Sequence, residues 1–169
     1  MLAEKIGFIG GGNMAEAIVG ALIGAGVSEV SRLYASDISP ERRDYLATTY
    51  GIITTDDNAL VFSKCDLIVL AVKPQVMDEV LADLMASDRV QSFVRAPKSR
   101  KLLVSIAAGI PIQKLASRIY AGADAAAIKN LPIIRVMPNT PALVLAGMCG
   151  MSVNPQVNEA DKVMARTVL

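Results

Sequence analysis

The apolar positions fall into short runs separated by stretches of helical period. Residues 5–9 form the first run, which stops at Gly10. Residues 13–25 then repeat apolar side chains every three or four positions and stop at Gly26. Residues 30–36 predict a second strand. Ser39-Pro40-Glu41 follows, with Ser39 as N-cap and Pro40 in the first turn of a helix that runs to Tyr50 and ends at Gly51. Residues 52–55 predict a third strand, and Asp57 or Asn58 caps a brief helix to Ser63. Residues 66–72 are almost continuously apolar, as in a strand buried on both faces. Lys73-Pro74 breaks that run, and residues 75–85 return to helical period. Residues 102–107 predict the next strand, residues 111–120 a helix, and residues 133–137 a further strand.

Strands alternating with helices predict an α/β fold: a doubly wound, mainly parallel sheet with helices on both faces. Two stretches interrupt the rhythm. Residues 86–101 are polar and carry Arg89, Arg95, Lys98, Arg100 and Lys101. They predict a solvated loop, with an anion-binding patch as the alternative. Residues 121–130 are Ala-rich and predict a surface connection. Residues 154–169 predict a last helix, capped by Asn154 with Pro155 in its first turn. The division expected is a domain over residues 1–153 and a helix over 154–169 leading to a further domain. Val163, Met164, Val168 and Leu169 predict an exposed apolar docking face at that end.

Composition narrows the chemistry. Hydrophobic residues make up 53% of the 169-residue chain and aromatics 4%, so Ala, Val, Leu, Ile and Met must fill the core. The net charge of +1 argues against a nucleic-acid or membrane-surface partner. There is no histidine, which excludes His-based triads and His zinc sites. Cys65 and Cys149 lie far apart with no metal-ligand spacing, so no metal site is expected. The apolar runs are punctuated before they reach a membrane-spanning length, and no charged leader precedes the first strand. A cytoplasmic location is expected.

Gly10-Gly11-Gly12-Asn13-Met14-Ala15 fits the G-x-G-x-x-G/A pattern. Here it follows a strand and opens a helix, the context that gives the pattern its meaning. Gly10 allows the tight turn, Gly12 lets the backbone approach a pyrophosphate, and Ala15 lets the helix pack close to the strand. The helix N-terminus then offers free N–H groups and a partial positive charge. That is the Rossmann arrangement for dinucleotides. Asp37 ends the second strand, where a carboxylate can accept both adenosine ribose hydroxyls and repel a 2′-phosphate. Taken alone it favours NAD(H). Ser36, Ser39 and Arg42 stand nearby as alternative partners of a 2′-phosphate, which would admit NADP(H).

In open α/β sheets, ligands bind beyond the carboxyl ends of the strands. That rule adds three loops: Ala71-Val72-Lys73-Pro74, Ala107-Ala108-Gly109 and Met137-Pro138-Asn139-Thr140-Pro141. Their small residues leave room for a flat ring, and Asn139 and Thr140 offer hydrogen bonds. Lys73 reads as a phosphate or ribose contact, or as a helix-start lysine in solvent, rather than as a catalytic cation, and no catalytic residue is assigned.

Gly7-Phe8-Ile9-Gly10-Gly11-Gly12-Asn13-Met14-Ala15, Ala71-Val72-Lys73-Pro74, Ser105-Ile106-Ala107-Ala108-Gly109 and Met137-Pro138-Asn139-Thr140-Pro141 together resemble pyrroline-5-carboxylate reductase over nearly the whole chain. The resemblance implies hydride transfer from NAD(P)H to the C=N bond of 1-pyrroline-5-carboxylate, giving L-proline. It implies that residues 9–14 (Ile9, Gly10, Gly11, Gly12, Asn13 and Met14) line the pyrophosphate, and that Asn58 contacts the adenosine ribose. Asp37 would stand where the family often holds the 2′-phosphate. Ala71, Val72, Lys73, Pro74, Ala108, Gly109 and Asn139 would lie along the cofactor. The family commonly places a hydroxyl or a basic residue beside Asp37, and here the neighbour is Ile38. Such enzymes carry a C-terminal helical domain for dimerisation and substrate binding. The chain is thus expected to be the cofactor part of a homo-oligomer and inactive when isolated. Two other readings remain: a reductase of the 3-hydroxyacid or 6-phosphogluconate dehydrogenase type, and a non-catalytic dinucleotide-sensing module.

Overall fold

The computed structural model describes residues 1–138 and 149–169. Among these residues seven strands form one sheet: β1 (Ile6–Ile9), β2 (Leu33–Ser36), β3 (Ile53–Thr55), β4 (Leu67–Leu70), β5 (Leu102–Ser105), β6 (Ile133–Pro138) and β7 (Cys149–Val153). Their order is β3-β2-β1-β4-β5-β6-β7, with β1 paired to β2 on one side and to β4 on the other. Every pairing is parallel except β6 with β7. The chain thus winds outward from β1 in one direction, then returns to β4 and winds in the other. This is the doubly wound Rossmann-type sheet expected from the sequence.

Among the described residues, eight α-helices accompany the strands: α1 (Asn13–Gly24), α2 (Pro40–Tyr50), α3 (Asn58–Lys64), α4 (Met77–Ala86), α5 (Asp88–Arg95), α6 (Ile112–Ile119) and α7 (Ala125–Asn130) between strands, and α8 (Glu159–Val168) after β7. One face of the sheet packs through Ile9, Ile68, Leu70 and Leu103 onto α3–α7. The other packs through Phe8, Val69, Val104 and Val136 onto α1, α2 and α8. Burial on both faces explains the near-continuous apolar character of β1, β4 and β5. The punctuation works as expected around α2. Ser39 Oγ accepts the Arg42 N–H at 3.1 Å, Pro40 opens the helix, and Gly51 closes it at φ 71°. Asp57 caps α3 by accepting the Leu60 N–H at 2.9 Å.

Several expectations give way to tertiary packing. Residues 86–101 are not a solvated loop: α5 buries Val90 and Val94 against α3, α4 and α7. Arg100 holds both carboxylate oxygens of Asp161, at 3.1 and 2.5 Å, and so fixes the first turn of α8. The Ala-rich connection contains α7, capped by Asp124. Residues 30–32 form a single 3₁₀ turn ahead of β2. The last helix begins later than its first proline suggests, because Asn154 is taken up elsewhere. Its side chain is buried, accepts the Ile133 N–H at 3.1 Å and donates to the Tyr120 hydroxyl at 2.8 Å. Asn158 caps α8 instead, in a reciprocal capping box with Asp161. The apolar docking face at this end is not formed, since Ala165 and Val168 are buried against the sheet and only Val163 is largely exposed. The antiparallel β7 extends the domain past β6, a strand the sequence pattern did not announce.

Behind β1, α3 lies very close to the sheet. A Cβ on Gly7 would stand 2.4 Å from Val61 Cγ1 and 2.8 Å from Cys65 Sγ, so only glycine fits there. Burial pushes the Cys65 thiol up to about 12. Lys101 seals the same region. It is 6% exposed, and its ammonium donates to the Cys65 carbonyl at 2.6 Å and the Ser63 carbonyl at 3.2 Å. It also lies 5.8 Å from the Phe62 ring and 5.7 Å from the Phe93 ring. The charge therefore satisfies the last carbonyls of α3 rather than meeting solvent. Lys101→Met keeps the length of the side chain but leaves those carbonyls without a donor. It should lower unfolding stability by about 2 kcal/mol, measured by urea denaturation. An unchanged midpoint would mean that water replaces the ammonium.

Candidate functional site

Five strands end in one row. Thr55, Ser36, Ile9, Leu70 and Ser105, the last residues of β3, β2, β1, β4 and β5, are successive register partners across the sheet, while β6 runs on past Arg135, the partner of Ser105, to Pro138. The loops leaving these positions are therefore neighbours, and the row spans most of the predicted site residues. The turns start as ladder continuations: Gly10 N–H donates to Ser36 O at 2.9 Å, Ala71 N–H to Ile9 O at 2.8 Å, and Ile106 N–H to Leu70 O at 3.2 Å.

Each glycine after β1 has its own reason. Gly10 has φ +96°, and a Cβ there would lie 2.9 Å from the Val72 nitrogen and 3.0 Å from the Ala71 carbonyl carbon. Both the backbone angle and the close approach of two strand-end loops require glycine. A Cβ on Gly11 would lie 2.8 Å from Leu46 Cδ1. Around Gly12 a Cβ would meet nothing within 4 Å, so this position faces open space. Gly12 is also the N-cap of α1, with no side chain capping the helix. Gly12 and Asn13 are exposed and Met14 is half-buried. The first turn of α1 therefore presents its backbone N–H groups outward, beside a glycine that leaves room for a ligand. These features fit a dinucleotide pyrophosphate.

Asp37 is half-buried, and each carboxylate oxygen already accepts one backbone N–H: Oδ2 from Gly11 at 2.9 Å and Oδ1 from Ser39 at 3.0 Å. It ties the glycine turn to the start of α2. A carboxylate has about four acceptor positions, so two bonds do not exhaust it. Ser36 is fully buried and donates to Asn58 Oδ1 at 2.6 Å, so it sits beneath Asn58 rather than facing the row's mouth. Ala71, Val72 and Pro74 are half-buried, while Lys73, Ala108 and Gly109 are exposed along the row. Asn139 and Thr140 lie outside the described residues.

Arg42 does not extend toward a 2′-phosphate. It bonds the Gly11 carbonyl, pairs with Glu16 and lies 5.0 Å over the Tyr45 ring. Arg43, which was not singled out in the sequence, donates instead to Asp37 O at 2.8 Å and Ile38 O at 3.2 Å. Its position one residue past Arg42 was the available signal. Glu16 also accepts from the Tyr45 hydroxyl at 2.9 Å and the Tyr50 hydroxyl at 3.1 Å. A lone carboxylate in the first turn of α1 would oppose an incoming phosphate. Pairing with Arg42 cancels it.

The Arg42 guanidinium holds the Glu16 carboxyl below the usual carboxylate range, aided by the two tyrosine hydroxyls and opposed by burial. A carboxyl lowered on folding contributes stability above its unfolded pKa and loses it as the pH falls through the folded one. Wild type should thus lose stability on acidification from below the ordinary Glu value, and Glu16→Gln should flatten that part of the profile. At neutral pH the variant should be less stable by about 1 kcal/mol. Thermal melts across the acid range measure both, and identical profiles would show the pair to be energetically silent.

Comparison with known proteins agrees with this geometry. Residues 5–109 match the family described as NADP oxidoreductase, coenzyme F420-dependent. A pyrroline-5-carboxylate reductase of Pseudomonas aeruginosa is 37% identical over 169 residues, which is 100% of this chain and 55% of that protein. The chain thus spans about half the length of the curated relatives it matches. The structure of a Coxiella burnetii pyrroline-5-carboxylate reductase superposes with a TM-score of 0.83 at 30% identity, covering 99% of this chain and 56% of that one. A Plasmodium falciparum pyrroline carboxylate reductase, solved with NADP bound, gives a TM-score of 0.76 at 28% identity, covering 99% of this chain and 55% of that one. By a family match that includes the glycine turn and the loops after β4 and β5, the chain belongs to the NADP oxidoreductase, coenzyme F420-dependent family.

Proposed function

We propose that the chain is the cofactor-binding part of a pyrroline-5-carboxylate reductase, the enzyme that reduces 1-pyrroline-5-carboxylate to L-proline. The observation that carries this reading is the uncapped N-terminus of α1, opening at Gly12 into free space in the middle of the strand-end row. A nicotinamide dinucleotide, NADP(H) or NAD(H), supplies the hydride when bound. The backbone of Gly10, Gly11 and Gly12 and the first turn of α1, Asn13 and Met14, hold its pyrophosphate, with Ile9 beneath. The remaining lone pairs of Asp37 accept ribose hydroxyls, helped by Asn58, which Ser36 orients from below. Ala71, Val72, Ala108 and Gly109 keep the far end of the row low enough for a flat ring. Lys73 and Pro74 complete that end.

The carboxylate of Asp37 and the ammonium of Lys73 are assigned to cofactor contacts, and on this reading this part of the protein binds and orients. Substrate contacts belong to other parts of the whole enzyme, which we take to be a cytoplasmic homo-oligomer acting on a small molecule without nucleic-acid or membrane partners. No helix among the described residues is long and apolar enough to cross a membrane. The resemblance to pyrroline-5-carboxylate reductases over the full chain favours an imine substrate over a hydroxyacid.

The whole protein should form proline from pyrroline-5-carboxylate with either nicotinamide cofactor. The 169-residue chain should bind the cofactor without turnover. Proline formation by this chain alone would place the substrate site among these loops. Oxidation of a hydroxyacid by the whole protein, without imine reduction, would overturn the assignment.

Gly12→Val tests the cofactor site separately. The open space around Gly12 accommodates the two methyls, so the fold should stand while dinucleotide affinity falls by about tenfold or more. Unchanged affinity by calorimetry would move the pyrophosphate off this turn.

A further inference from the structure

On the α6 face of the sheet a cleft of about 420 Å³ opens between α6 and the β6–β7 edge. Arg135 of β6 lines it together with Ile112, Gln113 and Ala116 of the α6 side and Ser152 and Gln156 of the opposite side. The side wall is built rather than incidental. The Tyr120 hydroxyl donates to Leu131 O at 2.6 Å and accepts from Asn154, whose oxygen in turn holds the Ile133 N–H. This network fixes the rim whether or not anything lies in the cleft.

Arg135 is the anomaly. Its Nε is shut off from solvent and has no hydrogen-bond acceptor. Its other side-chain contact is with the Met137 sulfur at 3.6 Å, a weak acceptor. Among the described residues no carboxylate pairs with it, as is true also of Arg43, Arg95 and Arg166, but among those residues Arg135 alone leaves a buried side-chain nitrogen without an acceptor. The stretch 139–148 contains no Asp or Glu and cannot supply one. A guanidinium partly withdrawn from water without a counter-charge is costly, and an anion held in the cleft beside the rest of the guanidinium supplies that charge even though Nε itself is shut off.

We propose that this cleft is a second binding site, for a small carboxylate ligand with an apolar body. Arg135 is the one charged side chain in the lining, which suits a monoanion better than a phosphate dianion. Its planar fork matches a carboxylate, while Ile112, Ala116 and Pro111 form an apolar wall behind it. The volume lies in the range of small-molecule pockets. The site goes beyond the cofactor reading and does not rest on it, yet the two are joined. Pro111 belongs to the same connection between β5 and α6 as Ala108 and Gly109, so an occupant presses on a loop of the strand-end row.

The test uses the ¹⁵N-labelled chain without nucleotide. Benzoate should shift the side-chain amide signals of Gln113 and Gln156 and the Arg135 Nε–H signal, with Kd on the order of 1 mM, and benzamide should shift none. Arg135→Gln should weaken benzoate binding by about tenfold or more. Ala116→Leu, which fills the apolar wall and keeps the charge, should do the same and serves if the first variant fails to fold. Equal binding of benzamide, benzoate binding that survives both substitutions, or the absence of shifts at these three residues would overturn the proposal.

Discussion

The chain leaves β1 through a backbone angle that glycine alone adopts readily, with the Val72 nitrogen 2.9 Å from where a side chain would begin. Everything at the mouth of the sheet depends on that constraint. Gly10 lets the loops after β1 and β4 touch, and their contact closes the row at the point where winding reverses direction. α1 then starts immediately, so its free N–H groups lie in the row and not above it. A larger residue at Gly10 would part the two loops and draw the helix end away from its neighbours. Site and topology therefore share one steric requirement.

Charge is arranged around the same turn. Asp37 draws the Gly11 N–H and the Ser39 N–H to itself and so couples the ends of β1 and β2. In the first turn of α1, Glu16 would oppose any anion, but Arg42 neutralises it while also holding the Gly11 carbonyl. The groups that could repel a phosphate are thus occupied by bonds that stiffen the loop meant to receive it. The pair lies with side chains about a fifth exposed, 23% and 22%, where solvent screening is incomplete.

Local signals were legible where local physics decides the outcome. The glycine turn, the Ser39-Pro40 start, the Gly51 stop and the continuous apolar strands follow from backbone angles and two-sided burial, and the mainly parallel, doubly wound character of the sheet follows from the alternation of strands and helices. The rest depended on partners distant in sequence. Lys101 and Arg100 look like solvent-facing charges until α3 supplies carbonyls and α8 supplies Asp161. Asn154 looks like a cap until Ile133 and Tyr120 claim its amide. At the site, the glycines and Asp37 could be placed from spacing alone. That Arg42 turns to Glu16 and the Gly11 carbonyl while Arg43 turns to the Asp37 and Ile38 carbonyls could not, since adjacent helical positions differ by about 100° and only the packed neighbours fix the zero.

The crowding of α3 on β1 has a chemical consequence. Cys65 is fully buried, its thiol is held protonated, and its carbonyl is fastened by Lys101. A thiol in that state is inert to alkylating reagents, which attack the thiolate. Its modification must await a transient separation of α3 from the sheet, so the labelling rate reports how often that opening occurs. The protein thereby carries an intrinsic clock for motion beneath its own glycine turn, readable by mass spectrometry from the rate at which Cys65 is alkylated.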